Sequence, residues 1–223
     1  VGMYATTGLH LLLYAAAMPM TMAERRQATR EHLMDAALVL FADRGIMAAS
    51  AVQIAAAAGY TRGAFHSHFA SKDELALAVL RRESERYLES LGSAGTGIAP
   101  GQGPTKTVVE QALATFLAAM VDDRASLLMR LEARLYAARV PQFRGALLEV
   151  DAELRQGVAE VMRTTLARLG LVLTVDPSRA VNLIFMTYEQ ESLSALLEDR
   201  SLPSPTVRSA MLEVFGSVVR VAA

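Results

Sequence analysis

The sequence predicts an all-α protein of about nine helices, with an N-terminal three-helix helix-turn-helix unit and a C-terminal helical domain. Two patterns support this fold class. Apolar residues recur at three- and four-residue spacing along most of the chain, and no stretch shows the sustained two-residue alternation of a half-buried strand. Residues that cap or break helices separate these segments, and a stretch rich in Gly and Pro divides the chain near its middle.

The composition excludes several kinds of site. The 223 residues include no Cys, so there are no disulfides, thiolate metal sites or cysteine nucleophiles. The net charge is −1, from 22 basic and 23 acidic residues, so no global basic field attracts a polyanion. The chain lacks Trp and has only 6% aromatic residues, which argues against a binder that stacks bases on aromatic side chains. Any nucleic-acid site must therefore depend on local charge.

Residues 1–23 are expected to form a disordered or loosely helical extension. Residues 1–20 contain no charged side chain, and residues 9–18 form an apolar run of the length found in secretory signals. The run is too short to span a bilayer and lacks a positively charged segment before it. We therefore expect a cytoplasmic protein without a membrane partner, with export as the alternative.

The next segments have the pattern of a helix-turn-helix. The first helix ends at Gly45, which serves as its C-cap. Ser50 caps a short Ala-rich second helix that ends at Gly59, and Thr61 caps a third helix over residues 62–69. Close helix packing is favoured by the small residues of the second helix.

A fourth helix begins after Ser71, which forms a capping box with Glu74, and runs to about Leu91. Residues 92–104 contain five Gly and two Pro, so they are expected to form a flexible linker. The predicted units are a helix-turn-helix domain at 27–87 with its motif at about 50–69, the linker at 92–104, and the C-terminal domain at 105–223.

Five helices are predicted in the C-terminal domain, over residues 105–121, 124–138, 142–169, 178–199 and 205–221. Residues 171–175 are the only strand-like run. Because no partner strand is evident, this run is interpreted as an apolar connection.

The helix-turn-helix segment resembles a known family. The residues that carry the likeness are 41–45 (FADRG), 54–65 (IAAAAGYTRGAF), 68–69 (HF) and 71–75 (SKDEL). Over residues 27–87 they are similar to the DNA-binding domain of the TetR family of transcriptional repressors. The resemblance implies a dimeric repressor that binds a double-stranded DNA operator and is released by a small ligand, with no catalytic activity.

Positive charge is local in this segment, because Arg62 and Lys72 are accompanied by no acid between Gly45 and Lys72. Thr61 and Arg62 open the third helix, where free amides favour phosphate, and Arg62 is able to bind guanine in a bidentate manner. The residues expected at the DNA, most of them implied by the resemblance, are Ser50, Thr61, Arg62, Gly63, Ala64, His66, Ser67, His68 and Lys72.

Histidine is the main departure from the family pattern. His66 stands where many members have Tyr, so DNA binding is expected to be sensitive to pH. A metal cluster of His66 and His68 with Asp73 and Glu74 is disfavoured, because residues two apart on a helix point about 200° apart. The four histidines form no triad with a placed Ser and carboxylate, so no enzyme, metal or cofactor is predicted.

The last two predicted helices are apolar on more than one side, and such helices need two partners. A monomer would expose a large apolar patch, so we expect a homodimer that reads an inverted repeat, as the resemblance also implies. The residues expected at this interface are Val181, Ile184, Val207, Met211, Phe215 and Val218.

The resemblance also implies a ligand pocket in the earlier C-terminal helices. An apolar cavity bordered by one or two acids predicts a small apolar effector that is flat or lipophilic, and favours a cationic one. The residues expected to line it are Phe116, Met120, Leu128, Glu132, Leu135, Phe185 and Glu189.

Three alternatives remain open on the sequence. The chain could be a ligand-independent activator or nucleoid-type DNA-binding protein. It could be an all-helical small-molecule binder or enzyme that does not touch DNA. The three N-terminal helices could also be a purely structural element.

Overall fold

The computed structural model describes residues 20–97, 110, 113–114, 116–117, 123–202 and 204–221. Within them the chain forms eight helices and one two-stranded sheet. The helices are α1 (Met22–Arg44), α2 (Ala51–Ala57), α3 (Arg62–His66), α4 (Lys72–Gly97), α5 (Arg124–Arg139), α6 (Pro141–Arg168), α7 (Pro177–Leu197) and α8 (Pro205–Val218). The strands are β1 (Leu171–Leu173) and β2 (Val219–Val221). The predicted helix over 105–121 lies partly outside the described residues, and its described residues are helical.

The local helix signals of the N-terminal domain are confirmed. Gly45 ends α1 with a φ of 81°, in the region that favours glycine. The Ser50 hydroxyl accepts a hydrogen bond from the Gln53 backbone N–H, and Oε1 of the Gln53 side chain accepts one from the Ser50 backbone N–H. The Thr61 side chain accepts from the Ala64 amide at the start of α3. Short-range capping therefore sets the positions of α2 and α3.

The start of α1 differs from the prediction. Thr21 caps the helix in a capping box with Glu24, so Met22 and Ala23 are helical rather than part of a loose extension. Residues 1–19 lie outside the described residues.

The predicted linker is wrong over residues 92–97, which continue α4 to Gly97. The cause is packing of α4 against α6. A Cβ at Gly95 would lie 2.6 Å from the Thr165 hydroxyl, so glycine permits the close approach of the two helices. Arg168 donates to the carbonyls of Gly95 and Thr96, which satisfies backbone groups at the end of α4. The rest of the predicted linker, 98–104, lies outside the described residues.

The interpretation of residues 171–175 as a connection is also wrong. Leu171–Leu173 forms β1 and pairs in antiparallel register with β2, with Val172 opposite Arg220. The partner strand follows directly after α8, where the sequence predicted a continued helix. Pairing between segments almost 50 residues apart gives no local signal.

Two hydrophobic clusters form the core. One joins the N-terminal helices, including the fully buried Phe65, to α5 and the first half of α6, including Tyr136 and Phe143. The other joins α4 to α6, α7 and α8 and contains Phe185 and Phe215. The helix α5 therefore shares a core with the helix-turn-helix. No helix among the described residues has the length and apolar character to cross a membrane.

The residues predicted at a dimer interface belong to the core of a single chain, so their assignment is wrong. None of them is more than 6% exposed: Val181, Ile184, Val207, Met211, Phe215 and Val218. Because α7 and α8 pack against each other and against α4 and α6, the second partner of these two-faced helices lies in the same chain. The large apolar side chains that α7 and α8 leave exposed among the described residues are Leu183, Met186, Leu197 and Leu212.

Candidate nucleic-acid interface and effector cavity

The outer surface of α3 is small, polar and exposed. Arg62 extends from its first turn, with Nε 3.5 Å from Nε2 of His66. A Cβ at Gly63 would contact only the Thr61 hydroxyl, at 3.7 Å, so packing within the protein does not require glycine here. The absence of a side chain leaves the backbone of α3 accessible from solvent at this position. On the opposite side Phe65 and Phe69 are buried, with ring centroids 6.0 Å apart. One side of α3 is therefore anchored in the core, and the hydrogen-bond donors of Arg62 and His66 on its outer surface are exposed to solvent.

Arginines of α1 extend this donor surface. Arg26 Nη2 donates to the Ser67 carbonyl at 3.5 Å, and Arg30 Nη1 donates to the His68 carbonyl at 3.3 Å. The Arg30 guanidinium also lies 4.3 Å from the centre of the Phe69 ring. These contacts place cations at the C-terminal end of α3, where they satisfy free carbonyls.

Sequence reasoning missed these arginines. Arg25, Arg26 and Thr29 border an open concavity together with Ser67 and His68. The signal that identifies them is the spacing of Arg26 and Arg30 by four residues, which places both on one face of α1.

The environment of His68 changes its pKa relative to that of an ordinary surface histidine. Burial, together with the charges of Arg26 and Arg30, lowers the pKa of His68. Its ring is therefore held neutral at pH 7 and offers one N–H donor.

Lys72 has a structural role that the sequence did not show. Its ammonium donates to the carbonyls of Met47 at 3.2 Å and Ala49 at 3.0 Å, in the loop between α1 and α2. Burial lowers the pKa of Lys72, and the Asp73 carboxylate opposes that shift. An ammonium has three N–H donors, so one remains for another acceptor.

The nine residues predicted at the DNA differ in their exposure. Those that are exposed are Ser50, Thr61, Arg62, Gly63, His66 and Ser67. Ala64, His68 and Lys72 are half-buried.

Ion pairs connect α1 to α4, and a hydrogen bond connects α4 to α5. Arg82 of α4 is 8% exposed and binds Glu31 at 2.9 Å and Asp35 at 2.8 Å, both on α1. Burial opposes the charge on Arg82, but the hydrogen bond to Glu31 and the charges of its partners raise its pKa. The Tyr136 hydroxyl of α5 donates to Asp73 of α4 at 2.8 Å.

A cavity of about 250 Å³ lies between α4, α5, α6 and α7. Part of its wall is apolar and includes Met129, Leu154 and Phe185. The rest is charged. Its lining contains three arginines, Arg86, Arg130 and Arg134, and four acids, Glu83, Asp123, Asp151 and Glu189.

The central charged contact of the cavity joins Arg134 of α5 to Glu189 of α7. Asp151 of α6 approaches the same guanidinium at 3.8 Å. One arginine therefore holds carboxylates from two other helices, and the charged wall is largely internally paired.

Two of the predicted ligand residues, Phe185 and Glu189, line this cavity. The assignment of Leu128, Glu132 and Leu135 to it is wrong. Leu135 is 49% exposed, and a Cβ at Gly45 would lie 2.8 Å from Glu132 Oε2, which places this acid against the end of α1. The buried face of α5 instead contains Met129, Ala133, Tyr136 and Ala137.

Of the remaining two predicted ligand residues, only Phe116 lies within the described part of the chain. Phe116 lines a separate apolar cavity of about 30 Å³, next to Phe215. Met120 lies outside the described residues.

Residues 33–79 match the family model described as "Bacterial regulatory proteins, tetR family". The HTH-type transcriptional regulator AcrR of Shigella flexneri is 46% identical over 52 residues, which make up 23% of this chain and 24% of that protein. The chain thus spans about a quarter of the length of this curated relative.

Two solved structures resemble the chain over most of its length. SmeT, the repressor of the Stenotrophomonas maltophilia multidrug efflux pump SmeDEF, aligns in its complex with triclosan with a TM-score of 0.63 and 23% identity, over 86% of this chain and 92% of that chain. The fatty acid degradation regulator FadR of Bacillus halodurans aligns with a TM-score of 0.64 and 16% identity, over 84% of this chain and 93% of that chain. At these identities the likeness shows the fold.

Proposed function

Since the N-terminal domain of this chain belongs to the tetR family of bacterial regulatory proteins, we propose that the protein is a sequence-specific DNA-binding transcriptional repressor. A small molecule bound in the C-terminal half releases it from its operator. The exposed surface of α3, with Arg62 at its start and the α1 arginines beside it, is the observation that carries the proposal.

In this proposal α3 enters the major groove and different residues have different roles. Arg62 reads guanine, whereas Arg26 and the third N–H of Lys72 bind phosphates. Thr61, His66, Ser67 and the other predicted DNA residues contact the backbone or allow its close approach. Phosphate contacts set affinity and its salt dependence, and base contacts set the sequence.

The test begins with selection of a binding duplex from random double-stranded DNA, followed by fluorescence anisotropy at several salt concentrations. Arg62→Ala is expected to reduce the preference for the selected duplex over random DNA by about tenfold. Arg26→Ala is expected to weaken all sequences and to lower the salt slope by about one unit.

Arg163→Ala is the matched control, because it removes one positive charge from an exposed pair with Glu160 on α6. It should change neither quantity. Failure to enrich any duplex, or equal losses from Arg62→Ala and Arg163→Ala, would contradict the proposal.

We further propose that two copies pair through the faces of α7 and α8 that point away from the core. Met186 is 68% exposed, and Leu183 and Leu212 are 38% and 36% exposed. An apolar face of this kind on two adjacent helices favours self-association. The paired recognition helices would then read an inverted repeat with half-sites about one helical turn apart.

Sedimentation of Met186→Glu tests this face. The variant should sediment as a monomer under conditions in which the wild type is a dimer, and it should keep its circular dichroism spectrum. A wild type that is monomeric at micromolar concentration would refute the dimer.

The effector site in this proposal is the cavity between α4 and α7. It has apolar and charged walls and lies next to helices that share a core with the helix-turn-helix. Coupling of about 1–3 kcal/mol between effector and DNA, or 5- to 150-fold weaker DNA binding, is the usual scale.

A further inference from the structure

One oxygen of the cavity wall has no hydrogen-bond partner among the residues that the structure describes. Oε2 of Glu189 binds Arg134, whereas Oε1 is buried and receives no hydrogen bond from any residue in the described part of the chain. A buried acceptor without a donor is unfavourable, and a ligand that donates to it recovers the lost interaction.

The charges around this oxygen disfavour an anion. The guanidinium of Arg134 lies next to Glu189, and it already forms ion pairs with Glu189 and Asp151. The cavity lining as a whole has four acids against three arginines. A cationic donor would therefore meet a slightly negative site, whereas a carboxylate would have to displace an existing pair.

The apolar wall of the cavity determines the chemical character and size of the rest of the ligand. Met129, Leu154 and Phe185 face the same cavity, and its volume of about 250 Å³ exceeds the ~150 Å³ of a cavity that binds benzene. A body of about two aromatic rings therefore matches its size.

We propose that the effector has an apolar body with one hydrogen-bond donor that binds Oε1 of Glu189, and that an ammonium is the donor bound most tightly. This rests on the proposed function, since it names the ligand of the proposed effector site. It differs from the expectation that both Glu132 and Glu189 border the cavity, because Glu132 lies at the end of α1 and Glu189 is paired with Arg134.

The experiment uses the full chain and four biphenyls that differ in one substituent: 4-phenylbenzylamine, 4-biphenylmethanol, 4-methylbiphenyl and biphenyl-4-carboxylate. Calorimetry should show the amine binding tightest, the alcohol next, and the hydrocarbon about tenfold or more weaker than the amine. The carboxylate should bind weakest.

Two variants separate hydrogen bonding from charge. Glu189→Gln should lower the affinity for the amine to that for the alcohol. Asp151→Asn removes a nearby charge without touching the acceptor, so it should reduce the advantage of the amine over the alcohol and leave that of the alcohol over the hydrocarbon. Glu160→Gln, an exposed acid of α6, is the control and should change none of these ratios.

Equal affinities of the amine and the hydrocarbon, or an unchanged ratio in both Glu189→Gln and Asp151→Asn, would overturn the inference. Binding of all four compounds with equal release of DNA would overturn it and leave the repressor proposal intact. No binding by any of them would overturn both the inference and the assignment of this cavity, while the separate DNA-binding measurement decides the rest.

Discussion

The hydrogen bond between Tyr136 and Asp73 connects α5 to the first turn of α4, and its removal makes a quantitative prediction. The Tyr136 side chain is 7% exposed, and its hydroxyl lies 2.8 Å from Asp73 Oδ1. Tyr136→Phe removes the hydroxyl and keeps the ring that packs edge-on against Phe143 at 5.1 Å. The change therefore isolates one hydrogen bond at the contact between the C-terminal helices and the DNA-binding domain.

The expected loss follows from the charge and exposure of the two partners. Hydrogen bonds to charged groups contribute about 1.5–3 kcal/mol, and the half-buried Asp73 regains some water in the variant, so we expect a loss of about 1.5 kcal/mol at pH 7. Burial, with the hydrogen bond and charge of Asp73, raises the pKa of Tyr136 to about 12. Because the folded pKa lies above the unfolded value of 10, the contribution is complete below pH 10 and is lost as the pH rises towards 12.

Urea unfolding of both proteins at intervals from pH 7 to 11.5 measures this difference. The wild type should be more stable by about 1.5 kcal/mol up to about pH 9.5. The difference should then fall by roughly 2 kcal/mol by about pH 11.5, which cancels the advantage of the wild type. The five other tyrosines titrate in both proteins, so they cancel in the comparison. A difference that is absent at pH 7, or that stays constant through pH 11.5, would refute this reasoning.

Three further predictions concern the same packing. Arg82→Met should lower the free energy of unfolding by about 2 kcal/mol in urea titrations, less than a fully buried pair, because Asp35 is 60% exposed; an unchanged midpoint would show that the pair is neutral. Gly45→Ala should cost about 1–2 kcal/mol from its φ of 81°, and adding Glu132→Ala should recover only the steric part of the loss; full recovery would rule out the backbone contribution. Phe215→Ala should cost about 3–5 kcal/mol as a core truncation, measured by thermal unfolding, and a loss confined to dimerisation would restore the original interface assignment.

Features set by a few neighbouring residues could be predicted from the sequence. The caps at Ser50 and Thr61 and the glycine at position 45 each depend on hydrogen bonds or φ values within four residues. On the inner side of α3, Phe65 is fully buried. The caps that position the surface proposed to bind DNA could therefore be predicted from neighbouring residues.

Features that depend on residues distant in the sequence could not be predicted. Gly95 is helical because Thr165 and Arg168 of α6 accommodate and cap the end of α4, although its local sequence is typical of a linker. Apolar residues on two sides of α8 indicated two partners, but the pattern is the same whether the second partner is another helix of this chain or a second copy. Phe215 lies in the former environment, so the dimer face that we propose consists of exposed residues instead.

The assignment of Glu132 to the cavity shows why one position matters on a helix. Glu132 and Arg134 are two residues apart, so their side chains point about 200° away from each other. Glu132 lies against Gly45 at the end of α1, and Arg134 lies against Glu189 in the cavity. The choice of Glu132 therefore placed the wrong face of α5 towards the cavity. Because α5 contacts the helix-turn-helix domain on one side and the cavity on the other, a ligand bound as we propose would contact a helix that already packs against that domain.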